Sequence, residues 1–280
     1  MKNRGVVTRT VLLLVIGLVV ALPIYWAFVV SFTPPAVVLF KKPLYPSPFT
    51  LKNYGALFSG EWGPGSGYSF LLPVRNSIIV AVGNTLLSVI VSILAAYALA
   101  MMQFRGRRAL STFVLFAYVF PPFIIMIALR YLITWLGIND TLYGLILLHC
   151  VITVPYCTWM LRAYFLSVPK DIEEAAMVDG CTRFQALIRV ILPVTLPGVI
   201  TAATFAFTLS WQDLILALIT LDTDVNYTVP MALVNMIQGD FIQWGKLMAG
   251  AVVGALPPIF VYYLLQRHIV SGLTAGAVKG

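Results

Sequence analysis

The sequence predicts an all-α membrane protein with about six transmembrane helices. Three observations predict it. Apolar residues make up 60% of the 280 residues and charged residues only 10%, with a mean hydropathy of +0.95, whereas a soluble domain is roughly 25% charged. Long charge-free stretches recur along the chain, and basic residues collect in alternate connections between them.

The charge-free stretches span 10–40, 76–104, 109–129, 141–161, 190–212 and 247–266. About 20 residues of helix cross a hydrocarbon core of roughly 30 Å, and a charge at its centre costs about 2.5–3.5 kcal/mol. Helices are therefore expected near 11–32, 73–102, 110–129, 142–165, 194–220 and 247–267. The first follows Lys2, Arg4 and Arg9, as a secretory signal would. Its apolar stretch continues past Trp26 to Phe32 before meeting Pro34 and Pro35, longer than a signal core of about 7–15 residues, so it reads as a retained helix.

The connection 33–72 is rich in Pro and Gly and reads as a shaped loop without regular structure. Its Gly-rich piece Gly63-Pro64-Gly65-Ser66-Gly67 opens no strand-to-helix turn and precedes no Lys-Ser/Thr pair, so it does not read as a phosphate cradle. The short basic connection Phe104-Arg-Gly-Arg-Arg108 reads as a membrane-surface anchor.

If both ends are cytoplasmic, the inner segments hold 12 of the 18 basic residues and the outer segments 6. The positive-inside rule favours that orientation. The net charge of +8 then reflects topology, and no basic face with interleaved aromatics suggests nucleic acid. Cys150, Cys157 and Cys181 form no disulfide framework and read as packing residues.

Between the fourth and fifth stretches, Ser167 to Pro193 has the local grammar of two short helices. Pro169 suits a first helical turn, and Asp171, Glu173 and Glu174 suit a helix N-terminus. Gly180 can take the left-handed conformation that ends a helix. Thr182 and Gln185 have capping-box spacing, and Pro193 marks the start of the fifth span. Composition leaves two readings, an amphipathic surface connector or a knob that docks into a partner.

Glu174-Ala175-Ala176-x₃-Gly180-x₉-Val190-x-Leu192-Pro193 resembles the EAA loop of binding-protein-dependent ABC importer permeases, with Val190 where the pattern has Ile. Pro48–Tyr54, Asn76–Val80, Ala95–Leu99 and Gly272–Gly280 resemble the maltose-type carbohydrate permeases, particularly the smaller permease subunit. The resemblance implies one transmembrane domain over 1–280, with a permease core at about 73–267 and a cytosolic coupling loop at 166–193. It implies Glu173, Glu174, Ala175, Ala176, Asp179, Gly180, Leu192 and Pro193 as coupling residues, and Gly272 and Lys279 as a tail reaching the same ATPase. It also implies sugar import across the cytoplasmic membrane with a second permease, two ATP-binding subunits and an extracytoplasmic binding protein. ATP would bind the partner subunits, because this chain carries no nucleotide-binding signature; no cofactor is expected here.

Asp213 is the one acidic residue inside an expected span, in Trp211-Gln212-Asp213. An intramembrane carboxylate faces a bundle interior or a wet cavity. The three residues read either as part of a translocation path, where the related permeases have a similar Trp-Asn-Asp, or as an inter-helix packing bond. Packing is the commoner use of buried polar groups. His149 and His268 have no companions at metal-ligand spacing. Tyr97, Tyr131, Tyr156, Trp159 and Trp244 read as interfacial aromatics.

The main rival is an ion-coupled secondary transporter, which would show repeated halves and several intramembrane ionisable groups. A non-sugar solute such as a polyol or glycerol phosphate is a further alternative. Enzyme chemistry lacks paired catalytic groups.

Overall fold

The computed structural model describes residues 2–35, 37–38, 44–63, 66–120, 122–238 and 242–277. Among these, all regular structure is helical. In lipid every backbone polar group must be satisfied within the chain, which a helix does by itself.

The helices are α1 (Lys2–Ser31), α2 (Lys52–Ser59), α3 (Leu71–Met101), α4 (Arg107–Val119), α5 (Pro122–Trp135), α6 (Leu142–Leu166), α7 (Lys170–Val178), α8 (Arg183–Ala186), α9 (Leu192–Gln212), α10 (Ile215–Thr220), α11 (Val229–Asn235) and α12 (Trp244–Ala277). Among the described residues, five continuous helical segments are long and apolar enough to cross a membrane: Thr8–Ser31, Leu71–Met101, Leu142–Leu166, Arg183–Gln212 and Trp244–Gln266. A sixth span exists only if α4 and α5 are counted together.

Three expected elements take another form. The third span, 110–129, is two helices bent by 98°. Phe120 adopts extended backbone at φ −64°, ψ 128° before Pro121 and Pro122, as a residue preceding proline prefers. The fifth span stops at Gln212 rather than running to 220, because Asp213 is extended and caps α10: its Oδ2 accepts from the N–H of Leu216 at 3.0 Å. The loop 33–72 contains helix α2, closed by Gly60 at φ 93°.

The chain divides into two compact units. The first comprises 1–74 and 231–256. Buried Asn53 on α2 donates from Nδ2 to the carbonyls of Ser31 (2.8 Å) and Thr33 (3.0 Å), and Gly245 packs directly on its amide. Trp62 donates to the carbonyl of Tyr68 at 2.6 Å and meets Phe70 edge-on.

The second unit comprises 75–230 and 257–280. Lipid tails are as apolar as Leu, so helix association here relies on close packing and inter-helix hydrogen bonds. The contact surfaces accordingly use Ala96, Ala100, Cys157, Ala202 and Ala206, with Leu161, Phe165, Leu187 and Ile191 filling the space between. A Cβ on Gly198 would lie 2.5 Å from the Tyr164 ring, so α9 and α6 meet where only glycine fits. A polar cluster ties three helices together: Asn84 donates to the carbonyl of Ala206 (3.1 Å) and accepts from Thr153 (2.9 Å) and Ser88 (3.0 Å). Each such bond contributes about 0.6–2 kcal/mol in a membrane. Tyr156, expected at an interface, stacks on Phe205 with ring centroids 3.7 Å apart.

At the other end of this unit, Asp140 organises the connection after α10. Its carboxylate accepts from the N–H of Asp222 (2.9 Å) and of Thr223 (3.1 Å) and from the Thr223 hydroxyl (2.7 Å). Burial pushes this carboxyl up, but the Thr223 hydroxyl and backbone, the Asp222 N–H and Asn226 outweigh it and hold it below its ordinary value.

Candidate functional site

The loop between α6 and α9 is rigid by local chemistry. Pro169 occupies the N-cap of α7 with ψ 137°, one position before the first turn expected for it. Asp171 and Glu173 fall in that first turn, where carboxylates suit the helix dipole. At the other end Gly180 sits at φ 89°. Its N–H bonds the carbonyl of Met177 (3.1 Å), and the N–H of Cys181 bonds that of Ala176 (3.0 Å). These two bonds are a Schellman closure, which needs the left-handed residue that glycine supplies cheaply.

Thr182 then opens the next helix with a complete capping box. Its hydroxyl accepts from the Gln185 N–H at 3.3 Å, and the Gln185 side chain accepts from the Thr182 N–H at 2.8 Å. The second helix is not a separate short element. It runs through a π segment, Leu187–Ile191, straight into α9. The widened turn lies just before Pro193, whose missing N–H breaks the ordinary ladder. Pro193 therefore lies inside one continuous helical segment from Arg183 to Gln212. The loop is thereby a direct extension of a membrane span.

The residues expected to couple divide between two faces. Glu173 and Ala176 are buried, at 6% and 8% exposure. Glu174, Ala175, Asp179 and Gly180 are exposed, beside Ile172, Val178 and Phe184. Val178 at 87% and Phe184 at 61% exposure add apolar surface to the outside of the same loop that carries the exposed Glu174 and Asp179. Leu192 is half-buried against the packed helices, and Pro193 is exposed.

Sequence reasoning missed the anchor of this loop. Tyr97, near the end of α3, is 6% exposed rather than interfacial. Its hydroxyl donates to Glu173 Oε1 and lies 3.3 Å from the Arg183 carbonyl. One phenol thus contacts both α7 and α8, 76 residues along the chain from Glu173. No local spacing signals such a pairing.

Trp211, Gln212 and Asp213 lie at the break between α9 and α10. Trp211 is buried and stacks on Phe207, Gln212 is exposed, and Asp213 is half-buried. Asp213 Oδ2 lies 3.3 Å from Nε2 of fully buried His149, so His149 is not the isolated residue that its sequence context suggests. The carboxylate serves both an inter-helix pair and a helix cap. Gly272 falls within the last helix, α12, while Lys279 lies outside the described residues.

Comparison with known proteins agrees with this architecture. Residues 88–275 match the family described as binding-protein-dependent transport system inner membrane component. The trehalose/maltose transport system permease protein of Thermococcus litoralis is 35% identical, over 99% of each chain. An inner membrane ABC transporter permease protein of Escherichia coli is 37% identical over 85% of this chain and 83% of its own. The trehalose transport system permease protein of Mycobacterium tuberculosis is 36% identical over 92% of each. The fold matches a chain in the crystal structure of a bacterial ABC transporter involved in the import of the acidic polysaccharide alginate. The TM-score is 0.79 at 23% identity, covering 95% of this chain and 96% of that one. This chain belongs to the family of binding-protein-dependent inner membrane transport components, the permease proteins of ABC transporters.

Proposed function

We propose that the chain is a permease subunit of an ATP-driven sugar importer, and that the loop 166–193 couples it to a partner that hydrolyses ATP. One observation carries the coupling role: a capped knob with an exposed apolar and acidic face is continuous with the span Arg183–Gln212 and anchored to α3 through Tyr97. A push on such a knob moves membrane helices with little loss in the connection. A mere surface connector needs neither the buried anchor nor the outward Val178 and Phe184.

Glu174, Ala175, Asp179 and Gly180 face the ATP-binding subunit, whereas Glu173 and Ala176 set the angle of the knob from inside. Both termini and the knob lie on the cytoplasmic side, as the basic residues favour. A second permease subunit completes the pathway, and an extracytoplasmic binding protein delivers the solute. The names of the relatives support a sugar, since two of them transport trehalose or trehalose and maltose. Gln212 and Asp213, at the break in the fifth span, are the groups offered to the translocation path.

The test is reconstitution with the neighbouring permease, ATPase and binding protein. Hydrolysis should rise when the binding protein is loaded with sugar, and the purified chain alone should hydrolyse no ATP. Hydrolysis by the chain alone, or no response to any loaded binding protein, would contradict the proposal.

A further inference from the structure

The connection between α3 and α4 holds an open cleft of about 1260 Å³ whose lining includes Arg107, Arg108, Arg162, Ser111, Phe113 and Phe116. No acidic residue lines it. Arg107 is fixed in place: Nε donates to the carbonyl of Leu99 (2.8 Å), Nη1 to Met102 (3.2 Å) and Nη2 to Ala100 (3.0 Å). A guanidinium has five N–H donors, so two remain for a ligand. Arg162 approaches the same Leu99 carbonyl at 3.4 Å, while Arg108 is exposed. The N-terminus of α4, a helix of 13 residues, opens at the cleft after Gly106 and adds its own positive end.

The other half of the lining is apolar. Phe113 and Phe116 are 65% and 62% exposed, and α4 buries no residue in the chain. Phosphate suits the arginine end, because guanidinium binds its oxygens in a fork. A free phosphate would have no use for the phenylalanines. The α3 end that carries the cleft is also the end where Tyr97 holds the coupling loop, hence a membrane surface.

We infer that this cleft binds an anionic phospholipid of the leaflet on the coupling-loop side, its headgroup phosphate on Arg107, Arg108 and Arg162 and an acyl chain along Phe113 and Phe116. The inference rests on the membrane-spanning reading and not on the solute carried. A lipid held there bears on the C-terminal turn of α3 one turn from Tyr97, so membrane composition reaches the coupling loop.

The experiment is native mass spectrometry of the permease complex, titrated with phosphatidylglycerol, with phosphatidylcholine and with inorganic phosphate. Phosphatidylglycerol should bind preferentially, and Arg108→Gln should weaken it on the order of fivefold, the effect of one basic residue at an anionic surface. Phe116→Ser should weaken the lipid as well, and inorganic phosphate should not displace it. Arg108 makes no side-chain contact needed for α3, so this variant should fold even if Arg107→Gln does not. Equal binding of the two lipids, unchanged affinity in Arg108→Gln, or displacement by inorganic phosphate would overturn the inference. So would cross-linking of Thr112→Cys to the second permease in the assembled complex, which would show a protein in the cleft.

Discussion

Replacing Tyr97 by Phe removes one oxygen and keeps the ring that packs among Ala96, Ala100 and Leu161. The hydroxyl lost is the hydrogen-bond donor found for buried Glu173. Hydrogen bonds to charged groups contribute about 1.5–3 kcal/mol, and a carboxylate left buried without a donor costs a similar amount. The seated position of α7 should therefore weaken by about 2 kcal/mol, roughly a thirtyfold shift in its population. Membrane insertion should be unchanged, because no core volume is lost. The assay is sugar-stimulated ATP hydrolysis in the reconstituted importer, with limited proteolysis of the loop as a second reading. Hydrolysis should fall severalfold or uncouple from sugar, and the loop should become cleavable. Glu173→Ala should behave alike, Glu173→Gln should be milder because it keeps an acceptor, and the double variant should add little to either single one. Wild-type stimulation together with a protected loop in Tyr97→Phe would refute the anchoring role.

Other substitutions probe other parts of the structure. Gly180→Val meets no neighbouring atom, yet its φ of 89° costs a β-branched residue about 1–2 kcal/mol or more, so the chain should insert normally while ATPase co-purification falls. Gly198→Ala forces a methyl into the Tyr164 ring and should lower the melting temperature in detergent, at a cost of about 1–3 kcal/mol. Because the Asp140 carboxyl is held below its ordinary 3.8, its contribution to stability is present above that value and lost as pH falls through the lower folded value. Asp140→Ala should thus be destabilising near about pH 6 and much less so near about pH 2 in thermal unfolding.

Spans were legible in this sequence because charge is excluded from hydrocarbon so strongly that its absence marks each helix. The interruptions were less legible. Pro121 and Pro122 are visible in the chain, yet proline is tolerated inside α6 at Pro155 and inside α9 at Pro197, so residue type alone does not locate a break. The break at Asp213 depends on the carboxylate turning back to cap α10, a choice between two local hydrogen-bonding patterns. Within the loop 166–193, Gly180 and the Thr182–Gln185 box were readable because each acts over a few residues. The anchor Tyr97–Glu173 and the pair His149–Asp213 join distant positions, and only the packing of α3, α6 and α9 brings them together. The π segment before Pro193 was illegible for a local reason, since a short helix and a span with a proline at the junction give the same sequence pattern as one bulged helix.

The central claim is that the exposed face of α7 seats against an ATP-hydrolysing partner. Its most direct measurement is cysteine cross-linking from position 178 in membranes expressing the whole importer. Cys181 is partly exposed nearby, so Val178→Cys is built on a Cys181→Ser background. Treatment with a short bifunctional maleimide should join this chain to the ATP-binding subunit, with a yield that changes when ATP is added. Labelling of position 178 with no adduct to that subunit, in an importer that still transports sugar, would contradict the account.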